Sequence, residues 1–214
     1  MNIEELSSSG RLRIALVGLW GAALLVALVG LWVYKLRAGD GGEVRERWPA
    51  ASTLAAGADR PTLVMFAHPR CPCTRASLGE LRGLLSRFAG RMTTHVVFMR
   101  PAGSSASWSH TDTWATASAL VGVRVATDID GREAKLFGAA TSGHVVLYDA
   151  QGRLLYGGGI TPARGHQGSS PQLDRLSRLL ERETAGAADV AAAPRSPLGR
   201  PGPVFGCALR EDPR

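Results

Sequence analysis

Cys71 and Cys73 stand on either side of Pro72 in the stretch Phe66-Ala67-His68-Pro69-Arg70-Cys71-Pro72-Cys73-Thr74-Arg75. An apolar run precedes the pair and leucines at helical spacing follow it, so both thiols fall between the end of a strand and the start of a helix. The unpaired amides and the dipole at a helix start stabilise a thiolate, and Arg70 and Arg75 add positive charge nearby. A thiolate is the nucleophile of disulfide exchange and also the ligand of soft metals, so either chemistry would use this place. A pair of buried, inert thiols is the plainer alternative, and two thiols around a proline at a helix start argue against it.

Two residue steps span at most about 7 Å, and a disulfide needs Cα atoms roughly 4.4–6.8 Å apart. A turn at Pro72 meets that limit, in a small and strained ring, and strain makes a disulfide easier to reduce. Cys207, in Pro203-Val204-Phe205-Gly206-Cys207, is a third candidate partner whose apolar neighbours could dock the end of the chain on the core. A free cysteine in a tail is the equal alternative.

Two thiolates plus an imidazole also suit Cu(I) or Zn. His68 is nearest in sequence, and His144 follows a loop that should face the cysteines; taken singly, each histidine reads as a structural or surface residue. Gly157-Gly158-Gly159 leads through Pro162 to Arg164 and His166. Pro162 without an immediate helix spoils a phosphate-cradling loop. The segment is either a wall beside the cysteines, with Arg164 and His166 on a substrate, or a plain surface loop. Trp108, His110, Asp112 and Trp114 are read as packing, with a pocket edge as the alternative. No zinc-protease, nucleophile-elbow, Walker or haem-attachment motif occurs, and no organic cofactor is required.

The elements that must position these residues alternate. Residues 62–68 form a buried strand, 74–88 an amphipathic helix on Leu78, Leu81, Leu84, Leu85 and Phe88 ended by Gly90, and 94–100 a second strand. A helix over 111–120, a strand over 123–127 and a short helix over 132–137 follow. Strands at 144–149 and 153–156 make a hairpin, and Leu173, Leu176, Leu179 and Leu180 mark a closing helix. The order β-α-β-α-β-α-β-β-α predicts an α/β sandwich with a mixed sheet.

The 214 residues are 45% hydrophobic and 20% charged, which excludes wholesale disorder. Their formal charge of +7 rests on scattered arginines without a dense basic run, so nucleic-acid binding is excluded. Residues 14–34 (IALVGLWGAALLVALVGLWVY) carry no charge and as a helix span about 31 Å, enough to cross a bilayer. Lys35-Leu36-Arg37 suits signal cleavage poorly, which favours one uncleaved transmembrane anchor. The boundaries read as a short segment 1–13, the membrane helix 14–34, a linker 35–61, the domain 62–184, and a Pro/Ala/Gly-rich tail 185–214 carrying Cys207. Arg11 and Arg13 on one side of the helix face Lys35, Arg37, Arg45 and Arg47 on the other, a count that leans toward a cytoplasmic domain.

The strand, cysteine motif, helix, strand, late hairpin and closing helix resemble the thioredoxin-like fold over about residues 60–184. The added helix and strand before Gly131 are similar to the membrane-anchored TlpA and peroxiredoxin-type branches. FAHPRCPCTRASLGEL, TSGHVVLYDAQGRLLYGGGIT, ARGHQG and the terminal PVFGC resemble bacterial RedB-type proteins. The resemblance implies thiol–disulfide exchange on a protein client. Cys71 would be the attacking cysteine, with Cys73, or less readily Cys207, resolving. It departs from the usual pattern in two places. Thr74 holds the position of the usual resolving cysteine, with Cys73 one place early. Thr141-Ser142-Gly143 replaces the loop where thioredoxins usually carry a cis-proline facing the cysteines, which makes Ser142 and Gly143 candidate client contacts. Without that proline the copper alternative on Cys71, Cys73, His68 or His144 gains ground. Compartment logic for an easily reduced dithiol favours a bacterial inner-membrane protein with a periplasmic domain, against the charge count.

Overall fold

The computed structural model describes residues 3–185 and 201–210, and the chain divides into two compact units that meet in sequence between Arg37 and Ala38. The first unit is one helix, α1 (Ile3–Leu36), within which Leu12–Leu36 is long and apolar enough to cross a membrane. Its described large apolar side chains, Trp20, Leu25 and Trp32 among them, are exposed.

The second unit runs β1 (Thr62–Ala67), α2 (Pro72–Arg87), β2 (Thr93–Arg100), a single 3-10 turn (Ala106–Trp108), α3 (Asp112–Ser118), β3 (Val123–Ile129), α4 (Arg132–Phe137), β4 (His144–Tyr148), β5 (Leu154–Gly158) and α5 (Pro171–Thr184). The strands form one sheet in the order β3-β2-β1-β4-β5. β1 is parallel to β2, β2 is parallel to β3, β4 is antiparallel to β1, and β5 is antiparallel to β4. This is the thioredoxin-like α/β arrangement with a mixed sheet. The expected elements are all present. The predicted 74–88 helix starts earlier, because Pro72 takes the first helical position, where its missing N–H costs nothing.

The central strand β1 is buried on both faces, as a continuous apolar run requires. On one face Leu63 and Met65 meet Leu78, Leu81 and Leu84 of α2, Ala117 of α3, and Leu176 and Leu180 of α5. Each of these leucines contributes on the order of 2 kcal/mol by leaving water. On the other face Val64 and Phe66 pack with Val146, Tyr148, Ala134 and Phe137.

That second face has cover that composition does not reveal. Residues 39–60, inside the segment read as a linker, lie along the domain. Trp48 meets the rings of Phe137 and Tyr148 edge-on at 4.9 and 5.4 Å. The Ser52 hydroxyl and the Thr53 amide and hydroxyl donate to the Glu133 carboxylate at 2.6, 2.8 and 2.7 Å. Arg47 bridges antiparallel to Arg153. A few well-placed side chains hold a stretch whose Gly, Ala and charge content reads as a tether.

Of the tail, residues 186–200 lie outside the described residues, whereas 201–210 are packed against the sheet end. Val204, Phe205 and Leu209 are buried there, and Leu209 joins the Phe66 side of the core.

Candidate functional site: three thiols at the start of α2

β1 delivers the chain to the sheet end, and the loop from His68 to Cys71 turns it into α2. Cys71 is the N-cap, with extended backbone at φ −87° and ψ 122°, and its side chain makes no capping hydrogen bond. The loop is held from two sides. The Pro69 carbonyl accepts from the hydroxyls of Thr111 and Thr113, both at 3.0 Å. From the other side the Ser142 hydroxyl accepts the His68 amide at 2.9 Å and lies 3.0 Å from Thr74 Oγ1. Thr74 donates its own hydrogen to the His68 carbonyl at 2.9 Å, so in the remaining bond Ser142 is the donor. The Gly143 amide donates to the Phe66 carbonyl at 2.8 Å. Thr74 therefore clamps the loop.

The three thiols meet at this point. Cys207 Sγ lies 3.0 Å from Cys71 Sγ, and Cys73 stands two residues further on, in the first turn of α2. Cys71 is only 2% exposed and Cys73 8%, while Cys207 is half-buried. The Cys73 thiol holds Cys71 well below the ordinary thiol range; burial opposes this, and the Cys207 thiol adds to it. Cys73 moves upward because it gives its hydrogen bond to Cys71 and is buried, although the Gly165 amide pulls the other way. Burial, then the bond to Cys71, pushes Cys207 up to about 11. With Cys71 moved down and Cys73 and Cys207 moved up, Cys71 is the thiol that gives up its proton first.

The expected arginine support takes a different form. Arg75 is engaged by Asp112 at 2.7 Å, and the Arg70 guanidinium sits over the Trp108 ring at 4.7 Å. Both are exposed at the rim. Neighbouring thiols, not neighbouring cations, lower the Cys71 pKa. In the Trp108–Trp114 stretch, Trp114 packs on Phe98 at 5.2 Å, and Trp108 meets His68 at 5.5 Å beside the cysteine loop.

Cys207 is carried in by residues 201–209, which run beside two stretches of backbone. The Gly202 amide donates to the Gly157 carbonyl at 2.9 Å, and the Gly159 amide donates to the Pro203 carbonyl at 3.1 Å. Further on, the Ser142 amide donates to the Cys207 carbonyl and the Leu209 amide to the Ala140 carbonyl, both at 2.8 Å, with Thr141 and Ala208 paired antiparallel. Arg164 donates to the Gly206 carbonyl at 2.5 Å. Close approach explains the glycine: a Cβ at Gly206 would run into the Ser142 carbonyl.

The remaining candidates fall in distinct places. Ser142 is fully buried, with its hydroxyl in the loop clamp and its amide on the tail. Gly143 has φ +87°, and a Cβ there would press on Ser77 Oγ at 2.7 Å. Arg164 acts on the tail, and His166 is exposed with its Nδ1 2.7 Å from the Arg164 carbonyl. His68 Nδ1 accepts the Arg70 amide at 3.2 Å. His144 is fully buried and pairs in register with Phe66, on the sheet face of Val146 and Tyr148 and away from α2. Among the described residues no group of three or more His, Cys, Asp or Glu side chains is arranged to hold a metal. Sequence reasoning missed Thr111 and Thr113 as braces of the cysteine loop; their distance in sequence left no signal.

No protein-family model matches the chain, and no curated protein does. Among solved structures, a hypothetical protein of Sinorhizobium meliloti is similar at TM-score 0.51 with 22% identity, over 72% of this chain and 80% of its own. An uncharacterized conserved protein of Geobacillus kaustophilus gives TM-score 0.53 with 16% identity, over 84% and 94%. A secreted disulfide oxidoreductase of Mycobacterium tuberculosis is looser, at TM-score 0.40 and 17% identity over 57% and 81%. At these identities the likeness reaches the fold alone, and the sheet order β3-β2-β1-β4-β5 is that of a thioredoxin-like α/β domain; one apolar helix precedes it in the chain.

Proposed function

We propose that this chain is a membrane-tethered thiol–disulfide exchange protein of the RedB type, acting on protein thiols through Cys71. The observation that carries the reading is the 3.0 Å approach of Cys207 Sγ to Cys71 Sγ at the start of α2, and a Cys71 pKa drawn below the ordinary thiol range supports it. The Cys71 thiolate attacks one sulfur of a client disulfide. The Cys71–client bond forms, the client S–S bond breaks, and the second client sulfur leaves as a thiolate that takes a proton from water. A second protein thiol, Cys73 or Cys207, then attacks Cys71 Sγ and expels the client. Two electrons pass from the protein dithiol to the client, and no organic cofactor takes part.

The copper reading loses support from the histidines: His144 lies on the other face of the sheet, and His68 already uses Nδ1. The apolar helix and the compartment in which an easily reduced dithiol persists support a single-pass anchor in a bacterial inner membrane with the domain outside.

The test is exchange by the full chain in detergent, reduced, desalted and mixed with oxidised glutathione. Wild type reduces glutathione disulfide stoichiometrically, and Cys71→Ser does not. Undiminished exchange by Cys71→Ser overturns the reading.

A further inference from the structure

We infer that residues 201–209 are a strap occupying the edge an extended cystine-bearing client must use, and that Cys207 on it is the thiol that resolves the Cys71–client disulfide. The inference rests on the exchange reading and goes beyond it in naming the resolving residue and the docking edge.

Cys71 is 2% exposed, with Cys207 Sγ against it at 3.0 Å. A client sulfur must come equally close, so the Cys207 thiol has to move aside to admit it. The backbone beside Cys71 offers an amide at Ser142 and a carbonyl at Ala140, and both are taken by the strap at 2.8 Å in antiparallel fashion. An extended peptide presenting a cystine at Cys71 from this side needs the same two groups, because main-chain pairing is how a strand is added to an exposed edge. Strap and client therefore compete. The strap belongs to the same chain, so its return is an intramolecular event at high effective concentration.

Cys73 is the other contender. It lies in the first turn of α2, two residues after the extended N-cap Cys71, and a disulfide between them would close a small, strained ring. Pairing them opens the turn closed by the Thr74 amide on the Cys71 carbonyl at 3.0 Å. Cys207 needs no such rearrangement: closing from 3.0 Å to the roughly 2.05 Å of a disulfide is a shift of about 1 Å by a chain already aligned. The work divides. Cys73 stabilises the Cys71 thiolate, and Cys207 closes the cycle.

The chemistry balances with glutathione disulfide as the probe. The Cys71 thiolate forms a bond to one glutathione sulfur, and the other leaves as a thiolate. Cys207 loses its proton to solvent and attacks Cys71 Sγ; the Cys71–Cys207 bond forms and the second glutathione thiolate is released. The two protein thiols are oxidised by two electrons, and glutathione disulfide is reduced to two thiols.

The full chain in detergent, reduced and then mixed with glutathione disulfide, is followed by intact mass and peptide mapping. Cys207→Ser keeps one glutathione on Cys71. Cys73→Ala acquires glutathione more slowly than wild type but releases it, ending as a Cys71–Cys207 disulfide. Release of glutathione by Cys207→Ser with a Cys71–Cys73 disulfide, or retained glutathione on Cys73→Ala, overturns the inference and leaves exchange through Cys71 standing. Failure of every variant to take up glutathione overturns both. Gly206→Ala separates the strap from the thiol it carries: its methyl meets the Ser142 carbonyl, so the strap lifts and iodoacetamide modifies Cys71 at least about tenfold faster than in wild type, as expected when access requires local opening. An unchanged rate contradicts the strap.

Discussion

Cys207 Sγ rests 3.0 Å from Cys71 Sγ although 136 positions of sequence separate them. Around that contact, backbone pairing at residues 140–142 and 157–159 and three buried apolar side chains, Val204, Phe205 and Leu209, hold the end of the chain in place. Cys71 is thereby covered and supplied with a partner in one arrangement.

The loop clamp makes a prediction about stability. Ser142→Ala leaves the His68 amide without its acceptor and Thr74 without its donor in a fully buried place. Buried polar groups stranded in this way cost about 1–3 kcal/mol. Urea unfolding followed by near-ultraviolet circular dichroism should show a loss of that size, with an unchanged slope.

The pH dependence of the nucleophile makes another. Cys71 stays a thiolate to well below the ordinary thiol pKa of about 8.5, chiefly because the Cys73 thiol hydrogen-bonds to it. Its alkylation in the Gly206→Ala background should therefore hold steady from alkaline into acid pH, and fall only once the pH passes below the lowered pKa. Adding Cys73→Ala removes the donor and moves the midpoint of the profile upward. Coincident profiles would mean that Cys73 has no part in the activation.

His144 gives the domain an acid sensitivity. Burial pushes its pKa down to about 4, against an upward pull from Asp40, and among the described residues neither ring nitrogen has a hydrogen-bond partner. The unfolded chain takes up a proton as the pH falls below about 6.5, whereas the folded domain does not until about 4. The stability that neutral His144 contributes is thus complete above 6.5 and is lost on the way down to 4, at up to about 1.4 kcal/mol per pH unit. In His144→Leu this slope should flatten by about one proton. Denaturant midpoints across that pH range, compared between the two proteins, check it.

The sheet and its helices were legible because the apolar pattern changes period cleanly. Leu63 to Phe66 is a short continuous run, and Leu78, Leu81 and Leu84 return at helical spacing. The location of Cys71 at a helix start was legible from Pro72 and from that change of period. The packing of residues 39–60 was hidden, because Val44, Trp48 and Leu54 are too sparse to make a periodic signal. The Glu133 carboxylate that fastens Ser52 and Thr53 lies some 80 positions away. The source of the thiolate's stabilisation was hidden as well. Arg75 next to the motif suggests a cation for Cys71, but its partner Asp112 comes from another element and claims it. Apolar residues around Cys207 hinted that the tail docks; which backbone receives it is decided by pairings that only the folded sheet end brings together.

The most direct measurement is a redox titration of the full chain in metal-free detergent buffer, with thiols alkylated at each potential and pairings mapped by peptide mass. One reversible two-electron transition is expected, in which Cys71 and Cys207 are lost together as free thiols and recovered as a single disulfide. A chain in which Cys71 stays a free thiol across the accessible range contradicts it.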